Sequence, residues 1–321
     1  MSENLISLDQ SVNLLRAAGE TTRLRLLALL SEADLTVSDL IEILGQSQPR
    51  ISRHLKLLTE AGLLERHQEG AWAYFRLADQ GVGSGLVNAI LAECSPEDVN
   101  LTRDRERLDS VRRKRAMRAA EYFSQNANDW DTIRSLHVDE EQVEKTMLKM
   151  VGSEKFSAML DLGTGTGRIL ELFSGLYEKG VGIDASRDML AVARSRLDAV
   201  NLSRVQTRQG DLYILPTQAN SYDLITIHQV LHYLTDPQIA IAEAAKALAA
   251  GGRLLIVDFA PHELDFLREE YAHLRLGFSD EQMKEWLDEV GLKLEQVEQL
   301  KPQSEQTRDA LTVSLWLASK T

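Results

Sequence analysis

Residues 159–170, MLDLGTGTGRIL, most constrain what this chain can fold into. Apolar residues and Asp161 run into Gly163, Gly165 and Gly167, and a helix-compatible run follows. The order is strand, tight glycine turn, helix. A turn without Cβ atoms lets a ligand come close to the backbone. Asp184 ends a second strand-like run, 180–184, where a carboxylate can grip a ribose diol. The spacing is G-x-G-x-G, and Arg168 stands where a dinucleotide fold wants its third glycine. The expected ligand is therefore a nucleoside without a pyrophosphate.

From residue 156 strand-like and helix-like runs alternate, which predicts a mostly parallel sheet with helices on both faces. The expected strands are 158–162, 180–184, 205–210, 224–228 and 253–259. Helices are expected from Arg168 and over 189–199, 237–249 and 280–289. Runs near 293–299 and 310–318 could form an antiparallel ending. Ligands of such sheets bind at the carboxyl ends of strands. The turn at 163–167, Asp184, Asp211 and His228-Gln229 all fall there.

A length of 321 residues favours two domains, and the first eighty read differently. Leu24, Leu26, Leu27, Leu29 and Leu30 recur at helical spacing after a helix start at Glu20-Thr21-Thr22. Thr36 opens a short helix, VSDLIEIL, that stops at Gly45; Ser47 caps the next, with Pro49 in its first turn. Strand-like runs 63–67 and 71–77 follow, with Gly70 between them. Helix, turn, helix, β-ribbon is the layout of a winged helix-turn-helix. Its recognition helix would present Ser47, Gln48, Arg50, Ser52, Arg53, His54 and Lys56 to the major groove. Gln can pair with adenine and Arg with guanine. Ile51, Leu55, Leu57 and Leu58 would face the core, and Arg76 and His67 on the wing could touch phosphates.

The net charge is −13, yet residues 47–56 carry three positive charges and no acid, and residues 103–118 carry 8 Lys/Arg against 3 acids. An acidic total does not exclude a nucleic-acid partner when cations are grouped. The charged segment 101–120 is expected to be a long connecting helix with a solvated face, the alternative being that its arginines approach DNA phosphates or acidic residues of the second domain. In the segment before it, Leu86, Val87, Ile90 and Leu91 form one stripe, read from the residues as a local core contact. The single cysteine, Cys94, allows no internal disulfide and no cysteine metal site, which fits a reducing cytoplasm. MSENLISLDQ is not a secretory leader, and no apolar run approaches the length of a membrane span.

Residues 8–79, through TTRLRLLALLSEADLTVSDLIEIL and SQPRISRHLKLLTEAGLLERHQEGAWAYFRL, resemble the ArsR-type winged-helix repressors. That resemblance implies a homodimer, a pseudo-palindromic double-stranded operator and release of DNA on effector binding. It also implies that the stripe Leu86, Val87, Ile90 and Leu91 is a surface that pairs two subunits. Metal-sensing members use paired cysteines before the recognition helix. The matching LTVSDL has none, and Asp34 and Asp39 read as a cap and a solvated face, so no metal site is expected. Residues 120–260 resemble class I S-adenosylmethionine (SAM)-dependent methyltransferases, through DLGTGTG, GIDASRDML, QGDLYILP and YDLITIHQVLHYLTDP. The resemblance implies that Asp184 holds the ribose hydroxyls and Asp211 the adenine amino group, with Leu212 and Met189 against the ring. Asp161, Gly163, Thr164, Gly165 and Gly167 would hold the methionine portion. His228 would close the site near the sulfonium and is the one candidate catalytic residue. Tyr122, Phe123 and Trp130 could line a lid.

The resulting fold class is an α+β winged helix-turn-helix followed by an α/β, Rossmann-like class I methyltransferase domain. The expected division is 1–80 for DNA binding, 81–119 as a helical dimerisation or linker segment, and 120–321 for the methyltransferase-like domain. The fusion resembles regulators of the methionine cycle that respond to S-adenosylhomocysteine (SAH). The alternative is an active methyltransferase recruited or autoregulated through DNA.

Overall fold

Two residues set the start of the short helix Val37–Leu44. Thr36 Oγ1 accepts from Asp39 N at 3.3 Å, and Asp39 Oδ2 accepts from Thr36 N at 2.8 Å. This reciprocal cap is a device worth about 1 kcal/mol. Gly45, left-handed at φ 64°, ends the helix. The computed structural model describes residues 6–33, 35–69, 72–78, 82–95, 97–127, 130, 139–202, 204–302 and 311–321. Asp34 and Gly70 lie outside the described residues, as does the side chain of His67. The chain divides into two units, Met1–Met117 and Arg118–Thr321.

The first unit contains α1 (Leu8–Ala18), α2 (Thr21–Leu30), β1 (Leu35–Thr36), α3 (Val37–Leu44), α4 (Gln48–Glu60), β2 (Leu64–Glu69), β3 (Trp72–Leu77) and α5 (Val82–Ala92). The ribbon β2–β3 is antiparallel, and β1 adds to the far side of β3. Leu26, Leu27, Leu40, Ile43, Ile51, Leu55, Leu58 and Leu63 form its core. Leu57 does not join them: it is 40% exposed. Val87 of α5 is buried in this core, with Leu91 against it.

Helix α6 (Val99–Asn126) departs from the expected solvated face. Its Leu108 and Val111 are buried in the first unit's core. Asp104, 1% exposed, receives both Arg25 nitrogens at 2.6 Å. Such a bidentate pair fixes orientation, and loss of either partner strands a buried charge. Arg107 Nη1 donates to the Ile43 carbonyl at 2.7 Å, and Arg112 Nη2 to that of Glu32 at 2.9 Å. The boundary between the units falls within this helix.

The second unit continues with α7 (Glu140–Val151), β4 (Phe156–Leu162), α8 (Arg168–Leu172), β5 (Tyr177–Asp184), α9 (Arg187–Ala199), β6 (Val205–Gln209) and β7 (Tyr222–His228). Then come α10 (Pro237–Ala247), β8 (Leu248–Phe259), α11 (Phe266–Glu270), α12 (Asp280–Glu289), β9 (Leu292–Leu300) and β10 (Val313–Lys320). The sheet order is β6-β5-β4-β7-β8-β10-β9. Strands β4 to β8 pair in parallel, and β10 is antiparallel to both neighbours, which gives the antiparallel ending. Alternate residues feed cores on the two faces: Leu160, Ile225, Leu254 and Ile256 on one, Met159, Leu224, Leu255 and Val257 on the other. The expected helix 237–249 ends early because Leu248 is extended and pairs with Tyr222. The link from β6 to β7, residues 210–221, carries no helix. Among the described residues no helix is long and apolar enough to cross a membrane.

Candidate functional site

In the first unit α4 presents an outward face of exposed Ser47, Gln48, Arg50, Ser52, Arg53 and Lys56. Ser47 holds the N-cap position without a side-chain cap bond, so its hydroxyl is not spent on the helix. Lys56 lies 3.7 Å from Glu60, a pair in solvent that is worth little. Two residues depart from the expected face. The His54 side chain is 13% exposed and lies 3.8 Å from Glu20, turned to the interior, and burial lowers its pKa. Arg76 on the wing is paired across the ribbon with Glu65 at 2.9 Å, which compensates its charge.

In the second unit the glycine turn is tied to the end of β5: Gly163 N and Thr164 N both donate to the Ile183 carbonyl, at 2.8 and 3.0 Å. Gly163, Gly165 and Gly167 all have positive φ. At Gly163 a Cβ would meet Val230 Cγ2 at 2.3 Å, so only glycine fits. At Gly165 the nearest atom to such a Cβ is Trp130 Nε1 at 3.7 Å. Thr164 turns its side chain toward Gly182, and its hydroxyl has no hydrogen-bond partner, so a ligand over the turn would meet its backbone.

Asp184 is the polar centre of this cleft. Its Oδ2 accepts from Gly165 N and its Oδ1 from Ser186 N, each at 2.8 Å. Burial pushes its carboxyl up from the ordinary range, against the opposing pull of these backbone donors. A carboxylate has about four lone-pair sites. Two are used by these bonds, and the Ala185 N–H also bears on the carboxyl, so acceptor capacity remains for a further donor. Gly210 N donates to the Asp184 carbonyl at 3.0 Å, which draws Asp211 alongside. Asp211 is exposed and accepts from Tyr213 N at 2.9 Å.

Five further residues are placed as follows. Asp161 is 1% exposed and accepts from Thr226 Oγ1 at 2.6 Å, between strands. Met189 and Leu212 separate: Leu212 enters the main core, while Met189 packs with Trp130 and Ala127. Arg168 is held by Glu144 through two bonds of 2.7 and 2.6 Å. His228 is buried at the end of β7, within the C-terminal edge of the sheet.

Around Trp130 the rings of Phe123, Tyr122 and Tyr233 meet edge to face or tilted, with centroids 4.7–6.3 Å apart. Tyr233 and Val230 were not among the expected residues. Nor was the strain at Gln229, whose φ of 53° is uncommon for a non-glycine residue. The same segment carries His232, whose Nδ1 lies 2.7 Å from Asp258 Oδ1, fully buried. An ionised Asp258 can only accept, which leaves Nε2 of a neutral His232 as its lone-pair nitrogen. His262 is complementary. Its Nδ1 accepts from Leu264 N at 3.3 Å, and burial drives its pKa to about 4. The proton of neutral His262 therefore sits on Nε2, a buried donor without a partner.

Comparison with known proteins matches each unit separately. Residues 20–66 match the bacterial regulatory protein, arsR family, and residues 160–256 match the methyltransferase domain family. The arsenical resistance operon repressor of Escherichia coli is 47% identical over 68 residues, 21% of this chain and 58% of the repressor. The uncharacterized methyltransferase YcgJ of Bacillus subtilis is 32% identical over 128 residues, 40% of this chain and 51% of that protein. The chain thus spans about half the length of the curated relatives it matches. A SAM-dependent methyltransferase of Thermotoga maritima superposes with a TM-score of 0.51 at 19% identity, over 63% of this chain and 100% of that one. The likeness places the second unit in that fold. The chain is a fusion of an ArsR-family winged helix-turn-helix domain with a class I methyltransferase domain.

Proposed function

We propose that this protein is a DNA-binding transcriptional regulator whose methyltransferase-fold unit binds SAM or SAH. The observation that carries the cofactor is Asp184, which keeps acceptor capacity for a ribose diol beside a turn that exposes backbone. Asp211 suits the adenine amino group, and the Trp130 cluster beside Gly165 would cover the ligand. The exposed face of α4 would read an operator in the major groove, as a homodimer in the cytoplasm, with His54 and Arg76 in supporting positions. Methionine-cycle genes are the expected targets.

A sensor needs its ligand to distinguish two states of the protein. Helix α6 supports such a link, because Leu108 and Val111 belong to one core and Tyr122 and Phe123 to the aromatic cluster. Titrating operator binding with SAM and with SAH tests the reading. A typical coupling of about 1–3 kcal/mol would change operator affinity about 5–150-fold. Unchanged affinity at saturating SAM and SAH would refute it.

A second reading, active methyl transfer, is favoured by His232. A buried imidazole held by Asp258, beside a segment carrying the unpartnered His262 donor, has the chemistry to take a proton from an acceptor. Transfer of labelled methyl groups from SAM to a small molecule or protein, lost in His232→Gln, is the outcome that reading requires.

A further inference from the structure

Strand β6 is a free edge of the large sheet, and five exposed cations gather around it: Lys179, Arg187, Arg194, Arg204 and Arg208. Residues 119–321 carry 20 Lys/Arg against 32 acids, so this grouping runs against the average charge. Elsewhere in the unit several cations sit on carboxylates, among them Arg168 on Glu144 and Lys284 on Asp288, each at 2.6 Å. At β6 their bonds run to neutral acceptors. Arg187 donates to Gln209 Oε1 at 2.9 Å, Arg194 to Thr207 Oγ1 at 3.0 Å and Arg208 to Gln206 Oε1 at 2.8 Å. Arg204 donates to the Ser174 carbonyl and lies over the Tyr177 ring, 5.6 Å from its centroid. Among the described residues none of the five is ion-paired with a carboxylate.

The topology explains why the charges remain open. The register Gly180↔Val205 sets Lys179 beside Arg204, and Arg208 follows four residues on, about 13 Å along the strand. Because the link 210–221 carries no helix, this face keeps a groove of about 790 Å³ lined by Lys179, Arg204, Arg208, Val181, Leu215 and Tyr222. Arg187 and Arg194 reach the strand's other face from α9, at Gln209 and Thr207. Charge on an edge strand also blocks pairing with another strand. That purpose explains cations on the strand itself and not those reaching it from a helix.

We propose that the β6 rim binds the phosphate backbone of DNA, as a sequence-independent contact additional to the recognition helix. The inference rests on the DNA-binding reading of the first unit. A backbone ligand needs spread positive charge and no base-specific geometry, which is what the rim offers.

The full chain is titrated with a random-sequence duplex of about 30 base pairs, by fluorescence anisotropy, from about 50 to 200 mM salt. The variant Lys179→Gln/Arg187→Gln/Arg208→Gln keeps the Arg204 stack. Its plot of log affinity against log salt becomes shallower by up to about 2.7, three phosphates at about 0.9 each. Its affinity at the lowest salt falls at least tenfold. An unchanged slope and affinity overturns the proposal. So does a variant that keeps both but loses self-association in sedimentation, which would make an acidic second copy the occupant. Arg50→Gln/Arg53→Gln on the same duplex separates the two readings. If only that variant weakens binding, the rim proposal fails and the winged-helix reading stands. If only the rim variant does, the rim contact stands and Arg50 and Arg53 make no phosphate contact, which leaves their base reading to the operator titration.

Discussion

The recognition helix and the glycine turn hold their polar groups in opposite ways. On α4 the outward Arg50 and Arg53 reach solvent with no carboxylate among the described residues, and the helix packs through Ile51, Leu55 and Leu58. In the cleft the key polar groups are engaged by the fold: Asp184 by Gly165 and Ser186, Asp161 by Thr226, the turn by Ile183. One surface is added to a finished domain, whereas the other is part of how the sheet is closed. Function and stability should therefore separate on α4 and stay entangled in the cleft.

The largest expected breach of that contrast is at Gly163. Gly163→Ala meets a left-handed backbone and the Val230 methyl at 2.3 Å, so unfolding free energy should fall by about 2–4 kcal/mol together with SAH binding. Denaturant melts and calorimetric titration of one sample would show both losses; a stable variant that still bound SAH would mean the turn is not a close-fitting cradle. Next comes Asp184→Asn, which turns an NH2 toward a backbone donor at a cost of about 1–3 kcal/mol. SAH affinity should fall by more than tenfold while Arg50-dependent DNA binding persists.

The pH dependence sharpens the same point. Burial raises the Asp184 carboxyl, so the folded unit binds its proton more tightly than the unfolded chain. Stability from this group is therefore fully present below the unfolded pKa and lost as pH rises through the folded value. Ligand affinity runs the other way, because the diol needs an ionised acceptor. It should decline as pH falls through that raised value, beginning above the ordinary Asp pKa of about 4. Calorimetry across pH that found affinity rising on acidification would remove Asp184 from the diol.

The smallest effects are on α4. Arg53→Ala should cost about 1–3 kcal/mol of operator affinity if it reads a base, with stability within about 0.5 kcal/mol. His54→Ala should do the reverse, since its ring is turned to Glu20. Equal losses of DNA affinity in both variants would place His54 back on the reading face.

What the sequence revealed follows from which features are local. Gly163, Gly165 and Asp184 are backbone and strand-end requirements that the chain must satisfy wherever the rest packs, and they were readable as such. The α4 stripe was partly misread. Ile51, Leu55 and Leu58 stand at i, i+4 and i+7, and His54 falls inside that stripe while Leu57 lies beside it. Helical periodicity alone could have reversed the two assignments. On α6 the pattern Asp104, Leu108, Val111 is the same stripe, concealed by eight cations in sixteen residues. The end of α10 was not legible, because an alanine-rich run carries no stop signal before Leu248 pairs in the sheet. The β6 rim was invisible for a different reason. Lys179, Arg187 and Arg204 lie far apart in sequence, and only the strand order assembles them.

Helix α6 has a consequence for anyone who would take the protein apart. Fused genes commonly leave a spare hinge where the parent domains meet. Here one helix contributes residues to each unit: Asp104, Leu108 and Val111 to the first, Tyr122 and Phe123 to the second. A fragment stopped before Val99 strips Arg25 of Asp104 and opens the leucine core; one begun after Asn126 loses two rings of the aromatic cluster. Excision, domain exchange or grafting onto a relative would have to carry this helix with either piece.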